Sequence, residues 1–263
     1  MKIAAQLMTV RHTMQTPEDI RSTLKKVREI GYEAGQISFG FTGKIEIPLL
    51  KSYFDEVGMT ICGTHVGYDR LVNETDAVIE EHKILDTPFI GLGAMSGKRT
   101  ADGYKEFCEI MNPVAQKISD AGMKLTYHNH AFEFEKVNET QTGMDVIMEN
   151  TDPNTFKLLP DLYWLLAGGI VPSAFLYQYA DRIGYVHYKD GKYETRRVSD
   201  TALNLSYQTL AMTEVGSGNM DWKYLTKVCR EIGVPYAAVE QDKAEANGME
   251  SLEASYNYLK GIV

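Results

Sequence analysis

Eight short apolar runs, each followed by a stretch with helical spacing, predict one closed (β/α)8 barrel, an α/β fold, over residues 1–263. Such alternation implies parallel strands joined by right-handed crossovers. Eight units in 263 residues suit a barrel better than an open doubly wound sheet, and no G-x-G-x-x-G loop follows any run. Neither an internal repeat beyond the βα unit nor a low-complexity linker suggests a second domain.

The elements follow in order. Ile3–Met8 reads as a buried strand. Thr16-Pro-Glu-Asp19 starts a helix, with Thr16 as N-cap, Pro17 in the first position and acids in the first turn. Ile20, Leu24, Val27 and Ile30 keep helical spacing until Gly31. Tyr32–Ser38 is the second strand, followed by the aromatic, glycine-containing turn Phe39–Gly43 and a helix over Leu49–Val57 closed by Gly58. Met59–Val66 is the third strand, with a polar helix over Glu74–Leu85 behind it, and Pro88–Leu92 is the fourth. Asp102–Ala121 is a long amphipathic helix in which Pro113 predicts a kink or a break. Met123–His130 is the fifth strand, Thr142–Glu149 a short helix and Phe156–Asp161 the sixth strand. Trp164–Tyr179 is helical, interrupted at Gly168-Gly169 and Pro172. Ile183–His187 is the seventh strand, 190–219 a long polar connection, Asp221–Ile232 a helix, Pro235–Glu240 the eighth strand and Met249–Lys260 the closing helix.

Composition narrows the partners. With 44% hydrophobic and 24% charged residues the chain is an ordinary globule, and a net charge of -9 argues against a nucleic-acid groove or an anionic membrane surface. The same charge weakly favours binding a divalent cation. Cys62, Cys108 and Cys229 are far apart and odd in number, which is neither a disulfide framework nor a zinc ribbon, so a reducing cytoplasm is expected. No apolar run reaches membrane-spanning length, and the N-terminus enters a strand rather than a signal peptide. The expected partner is a small molecule; a homo-oligomer is left open.

The chemistry concentrates at strand ends. In an extended strand residues i and i+2 share a face, so His128 and His130 are expected side by side, with Tyr127 and Asn129 opposite. Reading every strand end adds His65, Asp161, His187 and Glu240, which places four of six histidines there. In a barrel that end carries the active site. An acid that ends an apolar strand is expensive unless paired or metal-bound. Each residue singly would serve as a structural hydrogen-bonding group; together they predict one divalent metal held by nitrogen and oxygen. Without thiolate the set suits Mn²⁺, Co²⁺, Zn²⁺, Fe²⁺ or Mg²⁺, and Ca²⁺ less well. Such an ion clamps adjacent oxygens of a polyol or ketose and acidifies the α-proton for removal by a carboxylate or imidazole. Glu240 and one of His128 and His130 are the expected acid–base groups. Phe39, Phe41, Tyr163, Trp164 and Tyr188, just beyond strand ends, suit either sugar stacking or ordinary packing. Lys192, Arg196 and Arg197 in the long connection read as a solvated charge cluster rather than an anion site.

Five stretches carry a family resemblance. Tyr127-His-Asn-His-Ala-Phe-Glu-Phe134, Leu159-Pro-Asp-Leu-Tyr-Trp164, Val186-His-Tyr-Lys-Asp190, Glu214-Val-Gly-Ser-Gly218 before Asp221-Trp222, and Val239-Glu-Gln-Asp242 resemble the sugar phosphate isomerase/epimerase group. That group belongs to the xylose isomerase-like TIM barrels and includes inosose dehydratases and ketose 3-epimerases. The resemblance implies one metal held by an acid on strand five, an aspartate on six, a histidine on seven and a glutamate on eight. Asp161, His187 and Glu240 match the last three. His128 stands where epimerases have glutamate, so either it ligates or Glu133 reaches in. The epimerases use two glutamates as opposed acid and base, and losing one leaves room for a dehydratase or lyase using histidine. The resemblance implies a metal-dependent isomerase or epimerase acting on a keto sugar by α-proton abstraction through an enediolate held on the metal. An inosose dehydratase-like lyase is the alternative, and a non-catalytic sugar-binding barrel a third reading. The expected ligands are His128, Asp161, His187 and Glu240; the expected substrate contacts are His65, Phe39, Trp164, Lys189 and Glu133.

Overall fold

The computed structural model describes residues 1–38, 45–197, 206–243 and 247–262. Its barrel strands are β1 (Lys2–Gln6), β2 (Ala34–Ser38), β3 (Thr60–His65), β4 (Phe89–Leu92), β5 (Lys124–His128), β6 (Phe156–Leu159) and β7 (Val186–Tyr188). A hairpin of β8 (Asp190–Arg197) and β9 (Ser206–Thr213) precedes the eighth barrel strand, β10 (Tyr236–Val239). Parallel pairing joins β3-β2-β1-β10-β7 in one sheet and β4-β5-β6 in another. Two seams close the ring: Val66 pairs with Leu92, and Leu158 with Ile183 and Asp161 with His187. Every barrel strand thus neighbours its predecessor and successor, as the alternating pattern predicts.

The outer layer is α1 (Pro17–Ile30), α2 (Ile47–Val57), α3 (Tyr68–Asn73), α4 (Thr75–Leu85), α5 (Ala101–Asp120), α6 (Gly143–Asn150), α7 (Leu162–Ala167), α8 (Pro172–Gln178), α9 (Trp222–Glu231) and α10 (Gly248–Leu259). Thr16 and Thr142 each accept a hydrogen bond from the amide three residues on, and Asp19 and Asp145 each accept one from the cap residue's own amide. These reciprocal bonds satisfy amides that a helix start leaves orphaned. Gly58, at φ 67°, closes α2 in the left-handed region that a Cβ penalises.

Several expected boundaries move. α5 runs uninterrupted through Pro113, because that proline is exposed and water can satisfy the carbonyl it strands. The polar helix before β4 is α4 as expected, and a further short helix, α3, precedes it and ends at Glu74. The fifth strand stops at His128, so His130 lies in the loop beyond it. The long connection is mostly an antiparallel hairpin. Phe39 and Phe41 lie outside the described residues, and so do the side chains of Arg196 and Arg197; Lys192 is exposed.

Two cores flank the strands. Leu, Ile, Val and aromatic side chains fill the space between barrel and helices, each Leu- or Phe-sized burial contributing about 1.5–3 kcal/mol. Inside the barrel, Ala4, Ala34, Cys62, Leu159 and Ala238 are small enough to leave room for Tyr185. A Cβ at Gly63 would collide with the Tyr185 ring, so that glycine is required there. This plug forms the floor below the carboxyl ends of the strands.

The Glu214–Gly218 and Asp221-Trp222 motif proves to be a clamp on one carboxylate. Buried Asp190 accepts from the Gly191 amide (2.7 Å), the Gly216 amide (2.9 Å), the Gly218 amide (3.0 Å) and Trp222 Nε1 (2.7 Å). A side chain at Gly218 would overlap the Asp190 carboxylate. The clamp ties the hairpin base to α9.

Candidate metal centre

Asp161 follows β6 and caps α7. Its Oδ1 accepts from the Trp164 amide (3.0 Å), and its own amide donates to Asn129 Oδ1 (3.0 Å). Those bonds turn Oδ2 toward His128 Nε2 at 3.3 Å, His187 Nδ1 at 3.8 Å and Lys189 Nζ at 3.1 Å. Glu240, just past β10, puts Oε2 3.1 Å from His187 Nδ1 and 2.8 Å from Lys189 Nζ. One ligand atom from each of His128, Asp161, His187 and Glu240 lies within 4.8 Å of all the others, and all four residues are buried.

Hydrogen bonds fix both imidazole tautomers. His187 Nε2 lies 2.6 Å from Gln36 Oε1, and His128 Nδ1 lies 3.2 Å from the Gly93 carbonyl. Oxygen must accept in each case, so those nitrogens carry protons, and in the neutral rings the lone pairs of His187 Nδ1 and His128 Nε2 face the carboxylates. A lone pair against a carboxylate oxygen is repulsive without a cation between them. Among the described residues His187 Nδ1 is buried without a hydrogen-bond partner, despite the nearby Glu240 oxygen. Three carboxylates, Asp161, Glu240 and Asp242, surround the single ammonium of Lys189, which lies 3.0 Å from Asp242 Oδ2. With neutral imidazoles the group keeps two negative charges, and a divalent cation balances them. The residues therefore fit a divalent ion of the kind that takes imidazole and carboxylate together.

Electrostatics follow from burial and these neighbours. Burial works against ionised Asp161, but Lys189 and then His128 and His187 outweigh it and hold the acid well below the usual carboxylate range. For Glu240, Lys189 and His187 overcome burial in the same direction. Burial disfavours charge on His187, yet Glu240 and Asp161 raise it above its ordinary value. Burial and His128 push His130 down to about 3, so its ring is neutral at ordinary pH.

The pocket above this floor has a volume of about 390 Å³ and is lined by His65, His128, His130, Lys189, Glu240 and Asp242, with Met8, Arg11, Ser38 and Gly93. That size suits a small ligand. Among the described residues His65 Nε2 and His130 Nδ1 are buried without partners, as is Trp164 Nε1. The Trp164 ring centroid is 5.3 Å from that of His130, and Lys189 Nζ lies 5.6 Å from the Trp164 ring. The expected strand-end residues therefore converge, His130 from a loop rather than from the strand pleat.

Glu133 is placed differently from expectation. It is fully buried away from the cluster, with Oε1 accepting from Tyr127 Oη (2.6 Å) and Oε2 from the His130 amide (2.8 Å). Both oxygens are committed to the chain and Glu133 does not line the pocket; the strand-five member of the four-residue group that could hold a metal is His128. The expected site residues did not include Gln36 or Arg11, nor Asn129 and Asp242, which stand inside the quoted motifs. Gln36 and Asn129 had one signal, an amide side chain inside an otherwise apolar or histidine-bearing strand end.

The model of the family described as "Xylose isomerase-like TIM barrel" matches residues 24–260. The chain is 31% identical over 171 residues to the inosose dehydratase of Geobacillus kaustophilus, covering 62% of this chain and 54% of that protein. It thus spans about half the length of that relative. A sugar phosphate isomerase/epimerase from Parabacteroides distasonis superposes with TM-score 0.78 at 19% identity, covering 99% of this chain and 98% of that one. The IolI protein with a bound zinc atom superposes with TM-score 0.73 at 14% identity, covering 100% and 98%. At such identities the two structures are similar in fold.

Proposed function

The chain belongs to the xylose isomerase-like TIM barrel family, and from that premise we propose that it is a metal-dependent enzyme removing the proton beside the carbonyl of a keto-polyol and expelling water from the adjacent carbon. The observation that carries this reading is His187 Nδ1, without a hydrogen-bond partner among the described residues, facing Asp161 and Glu240 on the floor of a polar pocket. His128, Asp161, His187 and Glu240 would hold one divalent ion, which when bound polarises the substrate carbonyl.

The remaining steps belong to the chain's own residues. The ion pairs of Glu240 among the described residues run through Oε2, so Oε1 is the atom assigned to take the α-proton. Lys189 steadies negative charge developing on the carbonyl oxygen. The protonated Glu240 then returns its proton to the leaving hydroxyl, and water departs. His65 and His130, which line the pocket with Trp164 beside His130, would offer ring nitrogens that have no partner among the described residues to the remaining substrate hydroxyls. Resemblance to inosose dehydratases supports the same outcome.

Epimerisation is the second reading. It needs a proton delivered to the opposite face of the carbon, and His130, which also lines the pocket, would have to take up that proton from the substrate or solvent first, because its ring is neutral at ordinary pH. Keto sugars and keto-inositols incubated in D₂O with Mn²⁺ and followed by mass spectrometry separate the two. Water loss from at least one of them supports dehydration, and deuterium beside a retained carbonyl supports epimerisation. Glu240→Gln should abolish both; exchange at the wild-type rate in that variant removes Glu240 as the base.

A further inference from the structure

We propose that Glu133 is a positioning residue that fixes His130 on the pocket wall by clipping two loops together. The strand pleat cannot place His130, because β5 ends two residues earlier. What holds it is a chain of hydrogen bonds: the Met95 amide donates to Tyr127 Oη (3.1 Å), Tyr127 Oη donates to Glu133 Oε1, and the His130 amide donates to Glu133 Oε2. Met95 follows β4, so one carboxylate joins the loops after β4 and β5. Phe132 stacks on the His130 ring with centroids 5.5 Å apart and planes 11° apart, and Arg99 lies 3.7 Å over Phe132. The His130 ring is thereby steered toward Trp164 and His128, whose centroids lie 5.3 and 4.9 Å away.

Burying a carboxylate completely is costly unless its bonds are worth the expense. Glu133 makes no ion pair within 4 Å among the described residues; Arg99 acts on it from a distance, and Tyr104 and Tyr127 are the titratable side chains facing it. Burial accordingly pushes its carboxyl up to about 7, against the pull of Tyr127 and the His130 amide. An apolar residue would pack there more cheaply. What it would not supply is two acceptors at the correct spacing to hold His130 and Tyr127 at once.

The consequence for activity rests on the proposed proton-transfer reading; the consequence for His130 does not. Labelling with 5-fluorotryptophan gives two ¹⁹F signals, because Trp164 and Trp222 are the chain's two tryptophans. Trp164 reports on His130, and Trp222, buried beneath Asp190, reports on folding. Glu133→Ala should shift or split the Trp164 signal, leave Trp222 in place, keep one equivalent of metal and lower kcat for α-proton exchange by about tenfold or more, as a 1 Å misplacement does. Glu133→Gln retains an acceptor for the His130 amide and should restore the Trp164 signal and most of the rate. A Trp164 signal unmoved in Glu133→Ala overturns the proposal. So does loss of metal from Glu133→Gln, which would make Glu133 a ligand, or loss of exchange in that variant with metal retained, which would make its carboxylate part of the chemistry. If Glu133→Ala fails to fold, Tyr127→Phe decides: an unmoved Trp164 signal there also overturns it. A wild-type protein that exchanges no α-proton refutes the proposed function alone, and the ¹⁹F comparison still stands.

Discussion

Asp161 divides its two oxygens between fold and site. Oδ1 caps α7, while Oδ2 meets His128, His187 and Lys189. Asparagine caps helices about as well as aspartate but brings no charge. Asp161→Asn should therefore lose the metal, read by elemental analysis of protein purified without chelator, while its Tm falls by only a few degrees. A metal-replete Asp161→Asn variant would remove Asp161 from the ligand set. Gln36 acts one step further out, accepting from His187 Nε2 and turning Nδ1 inward. Gln36→Leu should weaken metal binding about 10–100-fold, the usual effect of deleting a group that orients a ligand, as measured by competition with a chromogenic chelator. Asp161, His187 and Glu240 were legible in the sequence because each ends an apolar run. Gln36 was not, since its one sign, an amide inside an apolar strand, names no partner, and that partner is 151 residues away. The placement of Glu133 was hidden for a related reason: its hydrogen bonds depend on where β5 stops, a boundary that apolar patterning fixes only within a residue or two.

At the scale of elements, α4 is tied to β3 through a buried histidine. His82 Nδ1 donates to the Val78 carbonyl (2.6 Å), which leaves Nε2 to accept from Thr64 Oγ1 (2.7 Å). The bond from Thr64 needs the neutral ring, and burial, against the pull of the Val78 carbonyl, lowers the His82 pKa to about 4. A folded pKa below the unfolded value means the fold binds fewer protons. The contribution is fully present above about pH 6.5 and is lost as pH falls toward 4, by about 3 kcal/mol for a shift of this size. Urea denaturation should show His82→Gln less stable than wild type at pH 7, with the gap closing by roughly that amount at pH 4. A gap independent of pH would show that His82 does not titrate in this range. Most elements here were readable, because Thr16, Gly31, Gly58 and Gly122 punctuate the helical periods. The hairpin β8–β9 was not, since its polar strands lack an apolar face that would announce them. Pro113 misled because exposure, which the sequence does not state, decides whether a proline breaks a helix.

For the whole molecule, the ring closes through only a few paired residues at each of two seams, and the candidate centre straddles one of them. His128 and Asp161 come from the β4-β5-β6 side, whereas His187 and Glu240 come from the β7 and β10 edge of the larger sheet. The alternating pattern made the closed barrel legible, but not that its hydrogen bonding would divide into two sheets, because seam geometry depends on strand twist and on the residues meeting there. An ion held by all four ligands cross-links the sheets, and it does so only in the folded state. Mass action then predicts stabilisation: at one hundred times Kd a ligand bound only by the native state adds about 2.7 kcal/mol, or roughly 5–10 °C in Tm for a chain of this size. Calorimetry with and without Mn²⁺ or Zn²⁺ should show that rise, and EDTA should reverse it. Asp161→Asn should show none. Hydrogen exchange gives the location: protection should increase at the amides of Gly184 and His187, which donate across the seam to Leu158 and Pro160, more than at the β1–β2 ladder inside the larger sheet. Metal that raised Tm while protecting both places equally would be acting on the fold as a whole, and the idea that it fastens this seam would fail.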